Sequence, residues 1–144
     1  MEIALQEAAS AAARGEVPVG AVVTDARGTV LSRAGNEVEA RRDPSAHAEI
    51  LALRAAAASR GDKVLPDCTL YVTLEPCPMC AQAISFFRIR RLCFGAYDSK
   101  GGGVEHGARV FAASSCHHAP EVIGGLRESE AAALLRNFFA GLRA

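Results

Sequence analysis

The chain has 144 residues, half of them hydrophobic, which suits one domain of ordinary size with a single core and excludes global disorder. Lysine plus arginine equals aspartate plus glutamate at 16 each, so no bulk positive charge points to nucleic acid, although a local patch can still meet phosphates. The five cysteines, Cys68, Cys77, Cys80, Cys93 and Cys116, argue by their odd number against a disulfide framework.

The alanine-rich opening with Glu2 and Glu7 reads as neither a secretory signal nor a transit peptide, so a cytoplasmic protein with reduced thiols is expected. No apolar run nears the roughly 20 residues of a membrane span. Ile3, Leu5, Ala8, Ala9 and Ala12 form a stripe compatible with a first helix, ended by Gly15. Residues 17–34 then predict a hairpin, with the β-rich run Val17-Pro18-Val19-Gly20-Ala21-Val22-Val23 turning at residues 25–28. Residues 35–43 are polar and irregular. Asp43-Pro44-Ser45 supplies an N-cap and a first-turn proline for a helix over residues 46–59, closed by Gly61.

Residues 68–74 alternate as a buried strand that Glu75-Pro76 breaks, and residues 77–87 predict the next helix. Residues 91–96 form a further strand, residues 98–107 a glycine-rich loop, and residues 121–123 a weak strand. Ala131, Leu134, Leu135, Phe138 and Phe139 mark a closing helix over residues 128–142. Without repeats or linkers, residues 1–144 read as a single α/β domain, a mixed sheet of about five strands with helices on both faces.

Two patterns carry chemistry. His47-Ala48-Glu49 opens one helix, and Pro76-Cys77-Pro78-Met79-Cys80 opens the next. Cys77 and Cys80, three apart in a first turn, fall on one face where unpaired N–H groups and the helix dipole favour thiolates. If both helix starts meet at one sheet edge, His47, Cys77 and Cys80 can hold a zinc ion and leave a fourth position for water, the catalytic pattern. Water there can ionise near neutral pH. Glu49, two residues from His47, leaves the helix in another direction and suits a proton shuttle outside the metal shell. A lone Cys-x-x-Cys is often a redox pair or two packed small hydrophobes, and His-x-Glu alone is common. Their occurrence together, each at a helix start beside a proline, favours the metal.

At these residues the chain resembles the cytidine and deoxycytidylate deaminase superfamily, whose signature is H-x-E followed by P-C-x-x-C. More closely it is similar to the bacterial tRNA adenosine deaminases. The likeness runs through Glu16-Val17-Pro18-Val19-Gly20-Ala21-Val22, Asp43-Pro44-Ser45-Ala46-His47-Ala48-Glu49-Ile50 and Thr69-Leu70-Tyr71-Val72-Thr73-Leu74-Glu75-Pro76-Cys77. It continues in Cys80-Ala81, Phe94-Gly95-Ala96, Asp98-Ser99-Lys100 and the last helix. The resemblance implies a three-layer α/β/α fold, one Zn2+ per chain, a homodimer, and a tRNA anticodon stem-loop as substrate with inosine made at the wobble position. It implies that Asn36 bonds the target base, that the Ala48 N–H steadies the developing oxygen, and that Pro18 and Val19 line the pocket. It also implies that Asp98 and Lys100 meet flanking nucleotides, and that Phe139 and Arg143 contact the anticodon loop. Asn36 alone could equally cap a turn, and Lys100 could be solvated charge.

The Glu75-Pro76-Cys77-Pro78-Met79-Cys80 stretch also resembles the guanine deaminase motif, so a free base or nucleoside (guanine, cytosine or cytidine) is the alternative substrate. A non-catalytic zinc module is disfavoured by the presence of Glu49. Gly101-Gly102-Gly103 departs from the loop of some relatives; with no Gly-Lys-Ser/Thr following, it is no P-loop, and flexibility of an active-site loop is its expected role. Cys116-His117-His118 reads as a surface loop, Cys68 and Cys93 as core. Arg41, Arg42, Arg88, Arg90 and Arg91 form either a basic patch or ordinary solvated charge.

Overall fold

A computed structural model describes residues 1–143. The elements are α1 (Glu2–Ala13), β1 (Gly20–Thr24), β2 (Val30–Gly35), α2 (Val38–Arg41), α3 (Ala48–Arg60), β3 (Thr69–Leu74), α4 (Pro78–Phe86), β4 (Arg91–Ala96), β5 (Glu121–Ile123) and α5 (Glu128–Arg143), with a 3-10 turn at Val110–Ala112. The strands form one mixed sheet in the order β2-β1-β3-β4-β5. The β1 strand pairs antiparallel with β2 and β3, whereas β3–β4 and β4–β5 are parallel. Parallel neighbours need a crossover, and α4 supplies the one from β3 to β4.

Helices α1 and α5 cover one face of the sheet and α3 and α4 the other, giving the expected three layers. The larger core lies under α3 and α4, where Leu53, Leu65, Leu70, Ile84, Leu92 and Phe94 are wholly buried. No tryptophan fills it, so aliphatic side chains and alanines do the packing. On the opposite face a smaller cluster joins Leu5, Ala96 and Ala131. There α1 rests on two glycines that face each other across the hairpin, Gly20 and Gly35. A Cβ on Gly20 would lie 2.6 Å from Ala8 N, and one on Gly35 would lie 2.8 Å from Glu7 O, so only glycine allows this approach.

Three boundaries differ from those the sequence predicts. The hairpin begins at Gly20, because a γ-turn closed by Val19 N–H on Val17 O (2.8 Å) interrupts the β-rich run. Residues 35–43 contain the one-turn helix α2, whose Glu39 and Ala40 N–H groups both donate to the buried carboxylate of Glu16, at 2.9 Å each. Asp43 does not cap α3: its Oδ1 accepts the N–H (2.9 Å) and hydroxyl (2.7 Å) of Ser45. That Asx turn contains Pro44 and delays the helix until Ala48.

Candidate active site

The delay places His47 itself at the N-cap of α3, in extended conformation with φ −73° and ψ 150°. Cys77 has the same place on α4, with φ −69° and ψ 170°, followed by Pro78 in the first turn. Cys80 is three residues on, buried under the same helix start. The two N-termini converge as expected. His47 Nδ1 lies 3.6 Å from Cys77 Sγ and 3.4 Å from Cys80 Sγ, and the three donor atoms all fall within 4.8 Å of one another. A tetrahedral zinc with nitrogen at about 2.0 Å and sulfur at about 2.3 Å sets N and S about 3.5 Å apart, so the donors already stand at ligand spacing. Among the described residues this is the only such group of three, and it does not include Glu49.

Electrostatics agree with the donor set. The Cys80 thiol and the His47 ring beside it hold the Cys77 thiol down at about 4, so Cys77 is a thiolate at neutral pH. The same contact with Cys77, reinforced by burial, pushes Cys80 far above its ordinary value, while contact with Cys77 raises His47. Burial raises the Glu49 carboxyl, whose residue is 4% exposed yet borders the pocket.

That pocket is a cavity of about 700 Å³ above the three donors. Val17 and Val19 line it with Asn36, Leu74 and Pro44, while α5 contributes Phe138, Phe139 and Leu142 as one wall. Pro18 is buried and stands outside the lining, because the γ-turn presents the flanking valines. Asp98 borders the pocket, but its Oδ1 is occupied by the N–H groups of Lys100 (3.1 Å) and Gly101 (2.8 Å). Lys100 and Arg143 are exposed and lie beyond the cavity wall. Ala48 is wholly buried, and its N–H donates to Asn36 Oδ1 at 2.8 Å, which leaves the Asn36 NH2 as the donor for a ligand.

The sequence reading missed Glu75. Its side chain is fully buried, and it accepts from Asp98 N–H, Val104 N–H, Glu105 N–H and His106 N–H and from the His106 ring. Burial alone would raise this carboxyl; the donors from Asp98, His106, Glu105 and Val104 outweigh it and hold it below the usual range. The one local signal was a carboxylate directly after a strand in which aliphatic residues alternate with Thr and Tyr. Glu16 was missed for the same reason, since both bond the backbone of distant segments.

Close approach, and not a left-handed backbone, accounts for two of the three glycines, Gly102 and Gly103. None of Gly101, Gly102 and Gly103 has positive φ. Gly103 lies where a Cβ would stand 2.5 Å from Pro78 N and 2.9 Å from the Cys77 carbonyl carbon, and its N–H donates to Pro76 O at 2.8 Å. The loop is seated directly on the metal-binding turn.

Elsewhere, Cys93 in β4 and Cys68 just before β3 are buried, and burial pushes Cys68 up to about 11. The Cys116 thiol donates to His118 O (3.1 Å) and the His118 ring donates to Ile89 O (2.7 Å), so this stretch is tied into the fold. Of the arginines, Arg41 pairs with Glu37 and Arg91 lies 3.5 Å from Glu121, while Arg42, Arg88 and Arg90 are exposed. No described helix is long and apolar enough to cross a membrane.

With fold and donors in view, the class is that of a zinc-binding deaminase. Residues 1–96 match the family model for the cytidine and deoxycytidylate deaminase zinc-binding region, and the chain belongs to that family. It is 56% identical over 139 residues to a tRNA-specific adenosine deaminase of Agrobacterium fabrum, covering 96% of this chain and 91% of that one. A solved structure from a study of A-to-I editing by tRNA:A34 deaminases superposes with a TM-score of 0.92 at 56% identity, over 94% of this chain and 97% of that one. A guanine deaminase from Nitrosomonas europaea is similar at 26% identity with a TM-score of 0.82, over 96% and 82% of the two chains.

Proposed function

We propose that residues 1–144 form one zinc-dependent deaminase domain that converts adenosine to inosine at the wobble position of a tRNA anticodon loop. The observation that carries the chemistry is the spacing of His47 Nδ1 from the two thiols, with buried Glu49 beside them at the floor of an open pocket. The similarity to tRNA-specific adenosine deaminases, twice as high in identity as that to the guanine deaminase, supports the substrate.

His47, Cys77 and Cys80 would hold one Zn2+ per chain, which supplies the Lewis acidity that lets water ionise near neutral pH. Glu49 takes a proton from the attacking water as its oxygen bonds C6 of the unstacked adenine. The same carboxyl delivers that proton to N1, then takes the remaining hydroxyl proton and passes it to the departing amino group, so ammonia leaves and C6 becomes a carbonyl beside N1–H. Asn36, through its NH2, would fix the base, while the Ala48 N–H, taken up by Asn36 Oδ1, anchors the start of α3 and is not available to the developing oxygen. Val17 and Val19, with Pro18 behind them, would pack the base. Asp98, Lys100, Phe139 and Arg143, around the mouth, would meet flanking nucleotides. Loop bases suit this chemistry because they are already partly splayed. A homodimer working on tRNA in the cytoplasm completes the reading.

The test is inosine formation by the purified, zinc-loaded chain on an anticodon stem-loop with a wobble adenosine, beside ammonia release from guanine, cytosine and cytidine. Conversion of the stem-loop alone is expected. An unreacted stem-loop with a turned-over free base would replace this substrate by the alternative.

A further inference from the structure

Parallel pairing of β3 and β4, with Leu74 opposite Ala96, brings the segment after β3 and the segment after β4 out of the sheet side by side. The first becomes the metal-binding turn Pro76-Cys77-Pro78; the second becomes residues 98–107. Between them stands the Glu75 carboxylate. Its Oε1 accepts Asp98 N–H at 3.0 Å and lies 2.8 Å from His106 Nδ1. Its Oε2 accepts Val104, Glu105 and His106 N–H groups at 3.2, 2.9 and 3.1 Å. These donors flank both ends of the loop, so one carboxylate closes it. Gly102 passes so near Oε2 that a Cβ would lie 2.6 Å from the carboxyl carbon, and Gly103 abuts Cys77 and Pro78. The His106 ring is packed edge-on against Tyr97, which in turn meets Phe94 of the core.

We propose that Glu75 is a positioning residue for substrate binding: its buried carboxylate locks residues 98–106 onto the metal-binding turn, so that Asp98 and Lys100 are presented at a fixed distance from the reacting base. Of the loop's own side chains, only His106 shares in this. Asp98 spends its Oδ1 on the adjacent Lys100 and Gly101 N–H groups, which shapes the tip but ties it to nothing else. Glu75 itself does no chemistry, since its oxygens are saturated by these donors. The role rests on the proposed tRNA reading for the substrate, while the locking of the loop does not.

Glu75→Gln keeps the shape and replaces one acceptor oxygen with an NH2 that must face N–H donors. The expected result is zinc retained at wild-type stoichiometry, faster amide exchange at residues 98 and 104–106, a KM for the stem-loop raised about tenfold, and a kcat within about threefold. His106→Ala removes one donor and leaves the backbone set; a KM raised about threefold is expected, and this variant carries the test if Glu75→Gln does not fold. Wild-type exchange and KM in the folded variants overturn the proposal, as does a kcat loss at unchanged KM. If the wild-type protein leaves the stem-loop unconverted, the substrate reading fails. The locking role is then judged by exchange and zinc content alone: lost protection with retained zinc supports it, unchanged protection overturns it.

Discussion

Asn36, the residue after β2, accepts the N–H of Ala48, the first residue of α3, at 2.8 Å. The bond does in trans what an N-cap side chain does locally, since His47 at the cap position makes no side-chain cap of its own. It frees His47 for the metal and fixes the helix start to the hairpin. Asn36→Ala leaves a buried N–H unpaired and is expected to cost about 1–3 kcal/mol in urea unfolding. Asn36→Asp keeps the acceptor and loses the NH2. It is expected to be more stable than Asn36→Ala, yet to lose at least about tenfold in kcat/KM on the stem-loop. Equal stability of the two variants would show that the bond to Ala48 is not what matters.

Glu49 is held at a cost. Burial raises its folded-state pKa above the ordinary 4.5, so in zinc-free protein the fold loses stability as pH rises through that range. Glu49→Gln escapes the loss. Zinc-free Glu49→Gln is expected to melt higher than zinc-free wild type at pH 7, with the gap closing below about pH 4, while the zinc-loaded variant shows no turnover. A lower melting temperature across the whole pH range speaks against buried charge as the source.

Zinc uptake releases protons. Cys77 is already a thiolate, but Cys80 is a thiol held protonated by its hydrogen bond to Cys77 and by burial, and contact with Cys77 raises His47. Zinc must displace the Cys80 proton and whatever His47 carries, so affinity rises with pH by about tenfold per unit for each proton released. Calorimetry in buffers of different ionisation heat counts those protons. An affinity flat between pH 6 and 8 contradicts the assignment of Cys80 as a ligand.

Gly103→Ala and Gly101→Ala separate close approach from backbone freedom. A Cβ at 103 meets the backbone of Cys77 and Pro78, whereas one at 101 finds only Asp98 Oδ2, at 3.0 Å, a side chain able to shift. Gly103→Ala is expected to destabilise by about 1–3 kcal/mol and weaken zinc binding; Gly101→Ala stays within about 0.5 kcal/mol of wild type. Thermal unfolding and zinc titration of the pair decide it, and equal effects would point to flexibility after all.

The parts legible in the sequence were those whose physics is local. Hydrophobic periodicity placed five strands and the four long helices, and the prolines flanking Cys77 marked the start of α4. The Asp43-Pro44-Ser45 turn misled by two residues because an Asx turn and an N-cap share the same residue types. The short helix α2 was invisible because the group that stabilises its start, Glu16, lies 23 residues away in sequence from Glu39. Glu75 was hidden likewise: four of its five donors are backbone N–H groups, which no residue type announces. The cluster of His47, Cys77 and Cys80 was legible from spacing, whereas pocket walls such as Phe138 and Leu142 depend on how α5 lies over the sheet.

Helix α5 has one buried residue among those described, Ala131 in its first turn, and beyond it the helix reaches out to bring Phe138, Phe139 and Leu142 over the cavity. Its root rests on Gly95 of β4, where a Cβ would lie 2.9 Å from that of Ala131. The outer half therefore owes the core almost nothing. Changes there are cheap in folding terms, and the part of the wall that meets the substrate's surroundings can diversify by drift while the metal-binding turns stay under tight packing constraint. Substitutions on that half-helix are expected to alter the pocket wall with little change in folding stability.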